Sequence, residues 1–212
     1  MNKLDLKPIV SILLVVLCIS CSTDSLKIKS GDIIFRGNAH SDLSQAINEV
    51  TQTSKSTNYS HIGICEVSNG DVFVYHSDLG KGVIREPLEA FITAKDSIGY
   101  TVDLYRIKTL EDKQIETALV KAKSLLGNSY NSTYILEDEG YYCSEYIYEL
   151  FKADSIFKLE PMTFKNAETH QFHSGWITHY ENLGIEIPEG KPGCNPNGMA
   201  NNDNLMFIRK IK

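Results

Sequence analysis

The chain has 212 residues, of which 42% are hydrophobic and 23% charged, a composition typical of a globular protein and not of a disordered or fibrous one. Its net charge of −6, with Lys and Arg scattered along the sequence, excludes a nucleic-acid-binding protein and one that holds an anionic membrane through a basic patch. The length suits one compact domain with a sizeable core.

The N-terminus has the plan of a secretory signal. Lys3 and Lys7 precede an apolar run from Ile9 to Ile19, which only Ser11 interrupts and which is too short to span a bilayer. We therefore expect residues 1–20 to be a signal peptide that is removed during export.

The end of this apolar run resembles a bacterial lipobox, in which a Cys is lipidated and becomes the first residue of the mature chain. Leu17 and the small Ser20 precede Cys21 as that pattern requires, whereas Cys18 stands where a small or β-branched residue is usual. The alternative is an ordinary signal peptide that is cleaved nearby. The sequence favours lipidation of Cys21, a short tether over 21–29, and attachment to a membrane of the bacterial cell envelope.

The rest of the chain, residues 30–212, has no internal repeat and is predicted to form one domain. Apolar and β-branched runs separated by turn residues predict strands, and Asn69-Gly70 between two such runs is a strong hairpin signal. Apolar residues at helical spacing predict two longer helices. In chain order we expect strands at 33–35, 61–67, 72–76, 82–86, 100–107 and 205–211, a helical turn at 43–50, and helices at 110–126 and from 143 onward.

Three cysteines lie beyond the leader, in different surroundings. Cys65 lies inside an apolar strand, and Cys194 lies in a Gly/Pro-rich loop without a neighbouring acid or base. Cys143 falls in the first turn of an amphipathic helix, where unpaired N–H groups and the helix dipole favour a thiolate. From this position alone, a reactive thiol and a buried structural Cys are equally supported. Because no CxxC pair or Cys/His ligand spacing occurs, we expect no metal and no other cofactor.

The register of the predicted hairpin brings two histidines together. A two-residue Asn69-Gly70 turn sets Gly63 opposite His76, and it sets His61 two positions further along the same face. The Cα atoms of two such diagonal residues lie roughly 7 Å apart, within reach for two imidazoles. A His at a strand edge is usually only a half-exposed polar residue, but a His oriented by a second polar group can act as the base in nucleophilic catalysis.

Several motifs in a fixed order resemble those of a known family. They are Gly31-Asp32-Ile33-Ile34-Phe35, Ser60-His61-Ile62-Gly63-Ile64, Tyr142-Cys143-Ser144-Glu145, and a closing stretch with Trp176, His179-Tyr180, Ile187-Pro188-Glu189-Gly190 and Asn195-Pro196. Over about residues 30–209 the sequence resembles the YiiX/YaeF-like permuted papain-like amidases, relatives of NlpC-type cell-wall peptidases and of lecithin:retinol acyltransferase. In these proteins the His strand precedes the Cys helix, which reverses the order in papain.

The resemblance implies an α+β fold of the circularly permuted papain-like (NlpC-type) class, with an antiparallel sheet or small barrel packed on helices. It also implies that Cys143 is the nucleophile and His61 the general base. The third position, which often holds Glu in YiiX-like members, holds His76 here, as in NlpC-type peptidases and retinol acyltransferases. Tyr142 is a candidate oxyanion donor together with the Cys143 backbone N–H, and a role in the pocket wall is the structural alternative.

These residues predict an exported cysteine hydrolase, an amidase or peptidase, that acts by acyl transfer on an amide-containing substrate. Export and the NlpC kinship suggest a cell-wall stem peptide as substrate. The retinol-acyltransferase kinship suggests instead a lipid or acyl-amide hydrolase or acyltransferase. A third possibility is a non-catalytic binding module that has kept the fold, although the intact Cys143 and His61 count against it.

Overall fold

The computed structural model describes residues 27–37, 42–93 and 100–212. The predicted signal peptide, the Cys21 lipidation site and most of the tether lie outside the described residues. None of the helices in the described ranges has the length and apolar character needed to cross a membrane.

An antiparallel sheet of six strands forms the centre of the fold, in the order β4-β3-β2-β1-β5-β8. Its strands are β1 Ile33–Gly37, β2 His61–Ser68, β3 Asp71–Asp78, β4 Gly82–Pro87, β5 Thr101–Ile107 and β8 Leu205–Lys210. Two short strands, β6 Glu160–Pro161 and β7 Pro192–Gly193, pair with each other. The predicted antiparallel sheet is thus confirmed. The sequence did not predict β6 and β7 because two residues are too few to show an alternating pattern.

The β2–β3 hairpin has the predicted register, with Ser68 opposite Asp71 at the turn. Asn69 and Gly70 both have positive φ angles, 54° and 91°, as a two-residue hairpin turn of type I′ requires. The two strands pair from Ser68 and Asp71 to Ile64 and Tyr75, and side-chain alternation beyond this pairing determines the face on which His61 lies.

Three helices lie where the sequence predicts them, although α3 begins two residues later than expected because the side chain of Glu111, together with Gln114, caps it. The other three were not predicted. Two of these have only five residues, too few to show a helical period. The helices are α1 Asp42–Val50, α2 Leu88–Ile92, α3 Asp112–Ser124, α4 Cys143–Phe151, α5 Ser174–Leu183 and α6 Pro196–Ala200.

Apolar side chains cover both faces of the central sheet. On one face, Ile33 and Phe35 of β1 belong to the larger core, which also contains the buried residues of α3, α4 and α5. On the other face, Ile34 packs with Cys65 and with Phe91 of α2 in a smaller core. Because α4 packs directly on β2 and β3, its first residue is held against the sheet.

Candidate active site

The nucleophile predicted from the sequence, Cys143, is the first residue of α4. Tyr142 caps the helix with extended backbone, and its N–H donates to Oε2 of Glu145 over 3.0 Å. The same oxygen accepts from Nδ2 of Asn131 at 3.2 Å, which ties the preceding loop to the helix. This arrangement directs the Cys143 sulfur toward β2, where it lies 4.0 Å from the carbonyl oxygen of Ser60.

The two predicted histidines are in direct contact. Nε2 of His61 lies 2.8 Å from Nδ1 of His76, and both side chains are buried. Gly63 leaves room between the strands, since a Cβ at this position would lie 2.5 Å from Cγ1 of Val74. The backbone N–H of Ile62 donates to the Cys143 sulfur, which therefore contacts the residues on both sides of His61. The predicted histidines therefore form one hydrogen-bonded pair, and the Cys143 sulfur lies against the backbone on both sides of His61.

Helix α2 fixes the orientation of the imidazole pair. The ring of Phe91 stacks on His61 with centroids 5.7 Å apart, and it meets His76 edge to face at 5.1 Å. The two imidazoles are perpendicular to each other, at 89°. Because both rings are buried and both pack against Phe91, the hydrogen bond between them is held in one geometry.

A carboxylate that the sequence analysis did not identify completes the chain of contacts. Oε1 of Glu86, on β4, lies 3.1 Å from Nε2 of His76. Asp78, which the register sets opposite His61, forms ion pairs with Arg36 at 3.9 Å and with Lys81 at 3.3 Å. The hydrogen-bonded sequence of side chains therefore runs from Glu86 through His76 to His61.

A cavity of about 510 Å³ opens at Cys143. It is enclosed by α1, the loop before α4, the segment 155–164, α5 and the chain around α6. Eleven of its thirty described wall residues are aromatic or aliphatic, and these are Ile47, Val50, Tyr130, Tyr134, Tyr142, Ile156, Phe157, Met162, Phe164, Trp176 and Met199. A substrate group bound here would lie next to the sulfur in an environment that is partly apolar and partly polar.

This geometry agrees with a known family. Residues 27–209 match the sequence profile of the permuted papain-like amidase enzymes of the YaeF/YiiX, C92 family. The chain belongs to this family. The match confirms the resemblance inferred from the motifs and identifies the protein as a hydrolase of the amidase type. No curated protein matches the sequence.

A solved structure supports the permuted papain-like fold independently. The crystal structure of YiiX from Escherichia coli O157:H7, described as a metalloprotein, is similar with a TM-score of 0.68. The similarity covers 86% of this chain and 97% of that chain, at 23% sequence identity. Since the sequences have diverged this far, the comparison concerns the arrangement of strands and helices alone.

The resting site of this YaeF/YiiX amidase contains neutral groups. Burial lowers the pKa of His61 well below its usual value, and the Arg36 guanidinium lowers it further. Burial also raises the pKa of Cys143 to about 11, although the N–H groups of Ser144 and Ile62 act in the opposite direction. The prediction of a thiolate at neutral pH is therefore wrong for the resting site, because desolvation of the sulfur outweighs the helix N-terminus. A neutral imidazole is the form of His that can take up a proton from a thiol.

We expect Cys143 to be the first of the three described cysteines to react with limiting iodoacetamide, at a rate that rises about tenfold per pH unit between pH 8 and 10. Burial raises the pKa of Cys194 to about 12 and that of Cys65 further, so the thiolate fraction of both is smaller at each pH. Peptide mapping by mass spectrometry after timed labelling measures the three rates. A rate for Cys143 that is already constant above pH 7 would instead show a preformed thiolate.

Among the described residues, one group of side chains has the composition of a metal site. Ligand atoms of His61, His76 and Asp78 all lie within 4.8 Å of one another. The imidazole nitrogens, however, are 2.8 Å apart, closer than the roughly 3.3 Å between two nitrogen ligands of a tetrahedral zinc. Asp78 is also paired with Arg36 and Lys81, whose charges oppose a cation. The three residues therefore fit a hydrogen-bonded arrangement better than a metal.

The remaining predicted residue, Tyr142, lies in the wall of the cavity. Its hydroxyl accepts the backbone N–H of Cys194 at 3.2 Å and lies 3.9 Å from that residue's sulfur. This bond joins the start of α4 to the loop before α6. The position agrees with the pocket-wall alternative, and it leaves the Cys143 backbone N–H as the candidate donor to an oxyanion.

Sequence reasoning missed three polar side chains near the reacting groups. Tyr130 and Tyr134, whose hydroxyls lie 3.2 Å apart, share the cavity wall with Cys143. They lie in an irregular loop, so no periodic pattern indicated their orientation. For Glu86 there was a usable signal. Ile84 and Glu86 are alternate residues of β4 and lie on the same face of the strand, so an acidic side chain stands beside an apolar one there. A carboxylate in such surroundings needs a polar partner.

Proposed function

We propose that this amidase is a cysteine enzyme in which Cys143 is the nucleophile, His61 the general base and His76 the residue that orients His61. The observation that carries the proposal is the 2.8 Å hydrogen bond between two buried imidazoles, one of which belongs to the strand segment whose backbone contacts the thiol at the start of α4. A nucleophile, a base and a group that orients the base are the three parts that such catalysis requires.

The reaction proceeds by acyl transfer. The Cys143 sulfur attacks the carbonyl carbon of the amide while Nδ1 of His61 takes the thiol proton, and the carbonyl oxygen becomes an oxyanion that the Cys143 N–H can stabilise. Collapse of this intermediate breaks the C–N bond, and His61 returns the proton to the leaving amine. Water, activated by His61, then hydrolyses the thioester. If an alcohol or amine takes the place of water, the same site transfers the acyl group.

The aromatic and aliphatic part of the cavity wall supports an acyl-amide substrate with an apolar group. Of the described residues in its wall, Lys158 is the only base, and it lies in a segment that also contributes Glu160. A cell-wall stem peptide carries several carboxylates, which proteins bind with groups of cations. Aromatic and aliphatic walls instead contribute through burial of apolar area, about 25 cal/mol per Å².

Incubating the purified full chain with N-acyl amide lipids and, separately, with muropeptides tests the proposal by mass spectrometry of the products. We expect a free fatty acid and an amine from the lipids, and no cleavage by a Cys143→Ala variant. Cleavage of muropeptides alone would assign the cell-wall substrate instead. If neither set is cleaved and both bind, the protein is a non-catalytic binding module. Adding alcohol or amine acceptors separates an acyltransferase from a hydrolase.

We also propose that the protein is exported and anchored through Cys21. The basis is the leader sequence, with its basic start, its short apolar run and Leu17 to Cys21 at its end. The protein should fractionate with membranes and carry a lipid on Cys21, whereas Cys21→Ala should yield an uncleaved or soluble form without lipid. Membrane fractionation and mass spectrometry of the N-terminal peptide measure this. A soluble wild-type protein whose N-terminus lies elsewhere would exclude the anchor.

The E. coli structure is described as a metalloprotein, but the proposed mechanism contains no metal step. In this chain the candidate ligands His61, His76 and Asp78 already bind one another or neighbouring cations.

A further inference from the structure

The carboxylate of Glu86 contacts the imidazole pair at His76. It lies 3.1 Å from Nε2 of His76, whose Nδ1 is 2.8 Å from Nε2 of His61. Glu86 is not among the residues of the cavity wall, and its contact with the proposed base runs through His76. We propose that Glu86 is a positioning residue that fixes the tautomer of His61 through His76. The proposal rests on the assignment of His61 as the base.

The inference follows from which atoms can donate a proton. A carboxylate only accepts hydrogen bonds, so a neutral His76 bonded to it must carry its proton on Nε2. Its Nδ1 then has a free lone pair and accepts the N–H of Nε2 from His61. A neutral His61 with its proton on Nε2 has an unprotonated Nδ1, the nitrogen that can take the proton of Cys143. Each hydrogen bond thus determines the direction of the next one.

His76 alone would not determine this direction. A neutral imidazole has one donor and one acceptor nitrogen, and it can exchange them. With its proton on Nδ1, His76 would donate to Nε2 of His61, and the proton of His61 would move to Nδ1, the nitrogen proposed to take the thiol proton. The base would then be blocked without any change in the positions of the heavy atoms.

The surrounding charges support an ionised Glu86. The hydrogen bond with His76 lowers the pKa of Glu86, and the ammonium of Lys81 lies 3.9 Å from its Oε2. Burial lowers the pKa of His76, so that this imidazole stays neutral while the carboxylate is charged. The other charged groups near the pair are Arg36 on β1 and Asp78 on β3, while α2 contributes the apolar Phe91.

Three substitutions of Glu86 distinguish a role in fixing the imidazole tautomers from a role in packing alone. In Glu86→Gln, Lys81 attracts the amide oxygen, so the amide N–H group turns toward His76 and donates to its Nε2. This selects the wrong tautomer in both imidazoles. We expect kcat to fall by about 10³- to 10⁴-fold, the size seen when a wrong tautomer is imposed on a serine-protease base. Glu86→Ala should lose less, and Glu86→Asp should retain the most activity. KM should change little in all three.

Two further measurements, the histidine tautomers and the pH dependence of kcat/KM, would not change if Glu86 served only for packing. Nitrogen-15 NMR of His-labelled protein should show Nε2–H and unprotonated Nδ1 for both His61 and His76, and the opposite tautomer in Glu86→Gln. Loss of the negative charge should also lower the pKa of the coupled imidazole pair, since the carboxylate favours the imidazolium form. The acid limb of the kcat/KM profile should therefore move to lower pH in Glu86→Gln.

Glu66→Gln is the matched control. Glu66 is a carboxylate of the same sheet, but it accepts from the Tyr75 hydroxyl and pairs with Arg85 and does not contact the imidazoles. Its substitution should leave kcat and the tautomers unchanged. The proposal is overturned if Glu86→Gln keeps wild-type kcat and tautomers, or if its loss is no greater than that of Glu86→Ala. An active Cys143→Ala variant would instead refute the proposed function, and the NMR result would then stand by itself.

Discussion

Replacing Cys143 with Ala should reduce kcat for the amide substrate by about 10⁶-fold, the cost of losing the nucleophile of a serine protease. His61→Ala should cost a similar factor, because without a base the buried thiol keeps its proton at neutral pH. The double variant should be hardly worse than either single one, since the two groups act as a unit. Single-turnover and steady-state kinetics measure these losses, and mass spectrometry should detect a thioester on Cys143 in the wild type only.

Cys194→Ala is the control for this experiment. Cys194 is a second buried cysteine in the wall of the same cavity, and its contacts with Ser144 and Tyr142 include backbone hydrogen bonds that alanine retains. It should therefore keep near-wild-type kcat. If Cys194→Ala is inactive while Cys143→Ala is active, the nucleophile is misassigned and the reaction takes place elsewhere in the cavity.

Replacing His76 with Ala should reduce kcat by up to about 10⁴-fold, which is less than the loss of Cys143 or His61. The substitution removes the partner of Nε2 of His61, so the imidazole can rotate and change tautomer. His76→Asn should restore part of the activity, because its Oδ1 lies at the same position along the side chain as Nδ1 of His and can accept the same N–H. Steady-state kinetics of the three proteins gives the comparison.

The stability of the His76 variants must be followed in parallel, since this side chain is fully buried. Both substitutions remove volume next to Phe91, so both should lower the free energy of unfolding by a similar amount. A merely structural role would therefore reduce activity equally in both. Wild-type turnover by a folded His76→Ala protein would refute the assignment, and Asp78 would be the next residue to test.

The parts of the site that lie within one hairpin or one helix could be predicted from the sequence. Asn69-Gly70 specifies a tight turn, and the turn fixes the register that brings His61 to His76. Local patterns likewise predicted the start of α4 at Cys143, because apolar residues follow it at helical spacing. The motifs around the His strand and the Cys helix, together with the closing stretch and their order in the chain, predicted the family.

The electrostatic state of the site could not be predicted in this way. The helix start by itself indicated a lowered pKa for Cys143, but packing against β2 removes the sulfur from water and raises the pKa to about 11. The contact between Glu86 and His76 depends on the pairing of β3 with β4, whose loop carries no comparably strong turn signal. The substrate cavity likewise combines segments from α1 to α6 that are distant in sequence.

The sequence by itself determined the turn register, the helix that carries the thiol and the family to which the chain belongs, because each follows from residues close in the chain or from motifs in a fixed order. Only the tertiary structure decided the charge of the thiol, the partner of His76 and the shape of the cavity. The physical reason is that desolvation and hydrogen-bond partners depend on every segment packed around a group, and most of those segments are far away in sequence.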